Sequence, residues 1–473
     1  MRPRRRQARD VLAMLAAIMP AASAWAQPAT TVAARSAPVA PLRTLVTTSL
    51  QKRDVRLVEW SKAGIRVADA TVPEEFAAEA ARDVVASTDV LAVFAPPGLP
   101  LVDSTAPEAF EEYELETPAV RTGLVRVTLV DGQRLVGTIA PAAEDADPAS
   151  EAADTLVVQA GELGDVRLSL DDVAEVWMLG RPDSAEDDRQ TRITAETPAA
   201  DTVLLANGDR LTGFVESIGS QIVISADSTE SKEGETTAIP LNRCRRVVLS
   251  NPRTPLDGMV AWISADGGEI HVVKASSLAA TGAGETSLEI MLERADRSAV
   301  VVPTPRVVGV VPDASRVVSL SSLGVPRHEA DSTRRWTRAP QVTRGAGAPL
   351  GLGDVLFPGA MKAQWTLPPG ITALIGTIRL APEARMWGEC AVVLEVSGPD
   401  GTQQVWRGDF DPDRAATEVS IDLAGASERV GGAARLGVSI DPGKLGGIQD
   451  RILFEHVMLI RRPDAGPAKL PRE

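Results

Sequence analysis

The amino-acid sequence predicts an all-β protein: tandem small β-barrels followed by an antiparallel β-sandwich. VTLVDGQRLVGTI (127–139) and VLLANGDRLTGFV (203–215) write nearly the same hairpin twice, an alternating apolar run that meets Asp-Gly or Asn-Gly. From Val317 to Arg462, about six alternating strands are separated by Gly, Pro and Asp turns. That is the spacing of a sandwich or jelly roll. The alternation of strands and helices that a TIM barrel requires is absent.

The N-terminus comes first in order. Arg2, Arg4, Arg5, Arg6 and Arg9 head a short apolar stretch, VLAMLAAIM (11–19), and Ala24-Trp25-Ala26 precedes Gln27. Residues 1–26 therefore read as a secretory signal peptide, too short in its apolar part to span a membrane. The expected location is exported: periplasmic, cell-envelope or extracellular. The signal holds five Arg and one Asp, so without it the net charge of −15 becomes −19. Such a surface repels phosphate backbones, which argues against nucleic acid as a partner. No later segment is long and apolar enough for a span. Residues 27–42 are Pro/Ala/Thr-rich and read as a flexible linker.

Residues 43–95 form a diverged β-rich unit. VRLVEW (55–60) and IRVADA (65–70) predict a hairpin, PEEFAAEAARDVV (73–85) a helix with Pro in its first turn, and DVLAVF (89–94) a closing strand. Residues 96–118, rich in Pro and Glu, read as a linker. Repeat A (119–182) and repeat B (200–252) follow. Each has the quoted hairpin, a middle strand (TLVVQA, 155–160; QIVISA, 221–226) and a related ending, LSLDDVAEVWML (168–179) or IPLNRCRRVVLS (239–250). Repeat C (256–314) is weaker, with WISADGGEIHVV (262–273), LEIMLE (288–293) and VVPTPRVVGVV (301–311). Residues 43–95 read as a fourth, more diverged copy. Asp131-Gly132 and Asn207-Gly208 suit tight turns, and Gly137 and Gly213, inside the second strands, suggest a bend or bulge. Five short strands with one strong bend fit an SH3-like or Sm-like barrel. Arg134 and Arg210 are read as solvated strand charges, with a ligand or partner contact as the alternative.

The C-terminal stretch, 316–463, carries a family resemblance; 464–473 is a tail. SLSSLGVPRHE (319–329), PLGLGDVLFPGAMKAQWTLPPG (349–370), TALIGTIRL (372–380), VVLEVSGPDGTQQVWRGDF (392–410), SIDLAGASERV (420–430) and ARLGVSIDPGKLGGIQDRILFEHVMLI (434–460) are similar, in this order, to the NPCBM/NEW2 module. That is the carbohydrate-binding type of module found beside glycoside hydrolases such as family 98. The resemblance implies a galactose-binding-like jelly roll that binds carbohydrate. Small barrels before such a module also resemble secreted proteins of planctomycete-type bacteria. The chain departs from the family's polar signature: Lys362 lies near the expected His, and Gly376-Thr377-Ile378-Arg379 lacks the acid of Gly-x-Asp.

Sugar sites need an aromatic platform and a few polar groups. Trp387, in the turn Met386-Trp387-Gly388-Glu389, is the first candidate, followed by Trp365 and Trp406, with Asp409 and Asp450 as polar contacts. Core packing is the competing reading for each Trp. Asp409, Asp411 and Asp413 alternate as in a calcium loop but lack the Gly and distal Glu of an EF-hand, so a solvated turn is expected. Cys244 and Cys390 read as two buried thiols, a bridge being the alternative. His271, His328 and His456 show no metal-ligand spacing. No cofactor or metal is implied. The chain has no nucleophile elbow, zincin motif, phosphate loop or dinucleotide fingerprint.

The expected function is a non-catalytic, exported protein that binds carbohydrate or envelope glycan through the C-terminal module. The alternatives are a structural or protein-interaction scaffold, with partners on the barrel repeats, and a glycosidase or its accessory subunit.

Overall fold

The computed structural model describes residues 42–61, 64–73, 76–94, 123–140, 155–179, 198–226, 236–265, 269–280, 287–292, 300–303, 306–330, 338–342, 352–384, 386–443 and 450–463. The signal segment and most of the linker therefore lie outside the described residues.

Four successive units share one strand order. Unit N comprises β1 (Leu42–Thr47), β2 (Lys52–Ser61), β3 (Gly64–Asp69), β4 (Asp83–Ala86) and β5 (Val90–Phe94). Unit A comprises β6 (Leu124–Leu129), β7 (Arg134–Ile139), β8 (Thr155–Gln159), β9 (Asp165–Ser169) and β10 (Val173–Met178). Unit B has β11 (Asp201–Leu205), β12 (Arg210–Ile218), β13 (Gln221–Ala226), β14 (Thr236–Pro240) and β15 (Cys244–Val248). Unit C has β16 (Val260–Ser264), β17 (Ile270–Ala280), β18 (Ser287–Leu292), β19 (Val300–Pro303) and β20 (Val307–Val311). In each unit the five strands pair antiparallel in the order 5-1-2-3-4.

The copies agree residue by residue. In every unit the first–fifth strand ladder skips one residue of the fifth strand: Leu91, Ala174, Arg245 and Val308. This shared β-bulge twists the closing strand in the same place. The first hairpin turn is also shared. Gly132 (φ +85°) and Gly208 (φ +90°) take the left-handed conformation that Gly tolerates, and Leu50 (φ +64°) holds that place in unit N. A backbone bond ties each turn to the segment before the fifth strand: Thr48 N–H to Asp89 O, Val130 N–H to Asp172 O and Ala206 N–H to Arg243 O, at 2.8–2.9 Å.

Gly137 and Gly213 serve a different purpose from the expected bend. Their φ angles are not left-handed, and a Cβ would overlap the carbonyl oxygen of Gln159 or Ser225 on the third strand. Close approach of two backbones excludes a side chain. The second-strand bulge of unit B falls later, at Glu216. The helix expected over 73–85 shrinks to α1 (Ala77–Ala80), and Asp83–Ala86 becomes β4, paired with β3. Val84 and Val85 favour a strand, and pairing with β3 overrides the local helical pattern.

The units dock through equivalent strands. Val176 of unit A pairs with Val247 of unit B, and Val93 of unit N with Val310 of unit C. All four valines are buried and hold the same position of the fifth strand. Each contact is therefore a pseudo-dyad. Arg246 reinforces the A–B pair: its guanidinium lies 5.0 Å from the Trp177 ring and 2.7 Å from Glu175. Units C and A meet through β17 and β7. The chain between B and C runs back over unit A, where Asn251 donates to the carbonyls of Leu170 and Val173, both at 2.7 Å. The spatial order is thus N–C–A–B.

The C-terminal region is an antiparallel β-sandwich. Its strands are β21 (Val317–Ser319), β22 (Arg327–Ala330), β23 (Gln341–Val342), β24 (Val355–Phe357), β25 (Met361–Thr366), β26 (Ile371–Leu380), β27 (Cys390–Gly398), β28 (Gly401–Phe410), β29 (Ala416–Asp422), β30 (Arg435–Pro442) and β31 (Ile452–Arg461). One sheet runs β23-β24-β31-β26-β29 with β21 also on β31, and the other runs β22-β25-β30-β27-β28. Between β29 and β30 the stretch 424–430 forms helix α2 (Ala424–Val430). Phe357, Trp365 and Phe454 meet edge-on in the core between the sheets.

The sandwich is joined to the N–C pair. Ala373, Ile375, Met458 and Ile460, on the outer face of the first sheet, pack with Val46, Phe94, Trp262 and Val311. Lys52 pairs with Glu418 at 2.6 Å, and buried Arg461 donates to the carbonyls of Pro369 and Ser315. No helix of the described residues is long and apolar enough to cross a membrane.

Candidate functional site

One end of the sandwich gathers the exposed aromatic. Here β26, β28 and β30 end, and β27, β29 and β31 begin. Backbone bonds hold the connections together. Ala381 N–H reaches Arg451 O and Leu380 N–H reaches Ala415 O, both at 2.8 Å; Gly443 N–H reaches Glu389 O at 2.7 Å. Glu383 and Arg451 form an ion pair across the end.

Trp387 lies on the β26–β27 connection. A single 3-10 turn, Pro382–Ala384, leads into it, and Ala384 O accepts the N–H groups of both Trp387 and Gly388. The backbone is therefore fixed while the side chain faces solvent. Trp387 is 59% exposed and Met386 74%. An indole held this openly has a free ring face, the requirement for stacking on the apolar side of a sugar. Met386 was missed by reasoning from aromatic residues alone, although it adjoins Trp387 in the same turn.

The other sequence candidates separate. Trp365 is 3% exposed, with its Nε1–H on Gly324 O at 3.0 Å and its ring against Phe357. It is a core residue with no face for a ligand, because the alternation of β25 turns it inward. Trp406 is half-buried on edge strand β28, with its ring against Gly408, where a Cβ would overlap the indole, and 6.3 Å from Phe410.

Asp409 is exposed at the same end as Trp387, 3.4 Å from Arg407. Asp450 begins the approach to β31 at that end too, but it is 1% exposed and does not reach the surface. It acts on Cys390 instead. Burial, together with the nearby Asp450 charge, pushes the Cys390 thiol up to about 12. Both cysteines are buried thiols, and no bridge forms between them.

Asp411 is committed to its own turn. Its carboxylate accepts the N–H groups of Asp413 and Arg414 and pairs with the Arg414 guanidinium at 2.6 Å. Those hydrogen bonds from Arg414 hold its pKa below the ordinary carboxylate value. The Asp409/Asp411/Asp413 spacing is thus an Asx-capped turn. Among the described residues no group of three metal-ligating side chains occurs.

Of the two repeat arginines, Arg210 is exposed, as a solvated charge should be. Arg134 is half-buried, and its backbone bridges to Val272 of unit C. That departs from the solvated reading and follows from the docking of units A and C.

No family model matches the chain, and no curated protein matches it; the NPCBM/NEW2 resemblance therefore has no support at family level. Among solved structures the chain is similar to the CBM51-2 and INT domains of Clostridium perfringens ZmpB, at 9% identity and TM-score 0.23. It spans 37% of the length of that structure, with 37% of its own residues. It is also similar to the CBM51 of Clostridium perfringens GH95 in complex with methyl-galactose, at 14% identity and TM-score 0.22, over 30% of this chain and 99% of that one. The tandem CBM51 modules of Sp3GH98 from Streptococcus pneumoniae are similar at 11% identity and TM-score 0.23, over 57% of this chain and 92% of that one. These likenesses are remote.

Proposed function

We propose that this is an exported, non-catalytic protein whose C-terminal sandwich binds carbohydrate, an envelope glycan, at the end that carries Trp387. In this reading 316–463 is a galactose-binding-like jelly roll of the NPCBM/NEW2 type. Units 43–95, 119–182, 200–252 and 256–314 are SH3/Sm-like barrels behind a signal peptide at 1–26. The observation that carries the reading is the fixed, outward indole of Trp387 beside Met386, on a turn hydrogen-bonded at Ala384. Sugar stacks on the indole, and the exposed Asp409 carboxylate accepts from a sugar hydroxyl.

The test is a glycan array probed with the full chain and with Trp387→Ala. Binding that disappears in the variant supports the proposal. Silence of the wild-type chain across envelope-type glycans overturns it.

A scaffold role has its own support. The outer face of the sandwich is buried against units N and C, so the module is held firmly on the four-unit array. Capture of a defined envelope protein by the full chain, unaffected by Trp387→Ala and without glycan binding, favours this second reading.

A further inference from the structure

The contact between units C and A is made of equivalent residues. Arg134 and Val272 are register partners and hold the same place in their own second strands. Gln133 Oε1 accepts Lys274 N–H at 2.8 Å, and His271 Nδ1 accepts Val136 N–H at 3.1 Å. Gln133 corresponds to His271, and Val136 to Lys274. Each unit gives the other the same pair of groups, as an isologous interface requires. This edge of the second strand is therefore self-complementary.

Unit B carries the same edge. Arg210 corresponds to Arg134, Thr212 to Val136 and Asp209 to Gln133. β13 pairs with β12 only from Gly213 onward, so among the described residues no strand lies outside Arg210–Thr212. Asp209, Arg210 and Thr212 are exposed. Antiparallel alternation points the N–H groups of Arg210 and Thr212 away from β11, toward that open side. At the other end of the array, the edge of unit N adjoins the sandwich, where Lys52 pairs with Glu418 and Leu50 O accepts from Ser420.

We propose that unit B docks a second copy of this chain through Asp209–Thr212, giving a two-fold dimer with the geometry of the C–A contact. Across the dyad, each Asp209 carboxylate accepts the partner's strand N–H in the place of Gln133 or His271. The same carboxylates offset the two Arg210 guanidinium groups that approach at the axis. The array then continues N–C–A–B through the axis into B–A–C–N of the second copy.

Sedimentation velocity of the full chain over a range of concentrations tests this. The expected result is a concentration-dependent dimer that Thr212→Pro abolishes, since Pro removes the docking N–H and is tolerated on an edge strand. Arg210→Cys supplies a test that does not depend on how the proline variant folds. Directly opposed residues of a hydrogen-bonded pair lie about 5.5 Å apart, within reach of a disulfide. Mild oxidation of Arg210→Cys should give a covalent dimer, and of Arg167→Cys, at an exposed site on β9, none. A wild-type chain that stays monomeric, or an Arg210→Cys variant that cross-links no faster than Arg167→Cys, overturns the proposal. So does a dimer that survives Thr212→Pro in a folded variant.

Discussion

Val176 of unit A and Val247 of unit B face each other across a shared antiparallel ladder, and each is the fourth residue of its own fifth strand. Val93 and Val310 repeat the relationship between units N and C. The closing strand of each unit thus has two jobs: it completes its own sheet and forms half of a dyad. Truncating Val176 to Ala should cost about 1.5–3 kcal/mol, the transfer of two methyl groups plus the void they leave. Because the two valines touch, the double variant Val176→Ala/Val247→Ala should deviate from the sum of the singles. Urea unfolding of the four proteins measures this.

Gly137 and Gly213 should be intolerant of any side chain. A Cβ at either place meets a third-strand carbonyl rather than a flexible side chain. Gly137→Ala and Gly213→Ala should each lower the thermal midpoint far more than Gly208→Ala. At Gly208 the space around a Cβ is empty, and only the positive φ opposes the change. Equal losses at all three sites would contradict the close-approach account.

Lys274 links unit C to unit A. Burial acts against its charge, and the hydrogen bonds of Asp257 and Asp131 outweigh burial, so its pKa lies above the ordinary 10.5. A raised lysine pKa gives stability that is fully present below the unfolded value and is lost as pH rises through the folded value. The stability difference between wild type and Lys274→Met should therefore be flat from pH 6 to 9 and shrink only above about 10.5. Chemical denaturation in a pH series shows whether it does.

The thiols should be silent in the folded chain. Cys390 is raised to about 12 by burial and by Asp450, and Cys244 is fully buried with its Sγ–H on Pro240 O. Thiolate is the reactive form, so a disulfide reagent at pH 8 should label neither cysteine until the protein is unfolded, and then both. Rapid labelling of Cys390 under native conditions would show that its surroundings are open.

Local chemistry was legible in the sequence; assembly was not. Asp131-Gly132 and Asn207-Gly208 announced their turns because few residues accept positive φ. Unit N hid its kinship at that position, since Leu50 stands where units A and B have Gly and packs with the residues that join units N and C to the sandwich. The six strands from β26 to β31 could be read from alternation. The short β21 to β24 could not, because two to four residues carry no period. The docking valines look like any buried strand residues, and the tie between His271 and Val136 spans 135 positions. For the candidate site, Trp365 follows the alternation of β25, which turns it inward against Phe357, whereas Trp387 lies in a connection without a period and only the turn at Ala384 holds it outward.

The site reading turns on one side chain. Titration calorimetry of the full chain with the glycan that binds most strongly on the array, repeated with Trp387→Ala and Trp406→Ala, measures it directly. The expected result is binding by wild type and by Trp406→Ala, with at least a tenfold loss in Trp387→Ala, the effect of removing about 1.4 kcal/mol or more of stacking, and an unchanged thermal midpoint. Undiminished affinity in a folded Trp387→Ala protein would contradict the assignment of the sandwich end as the sugar site.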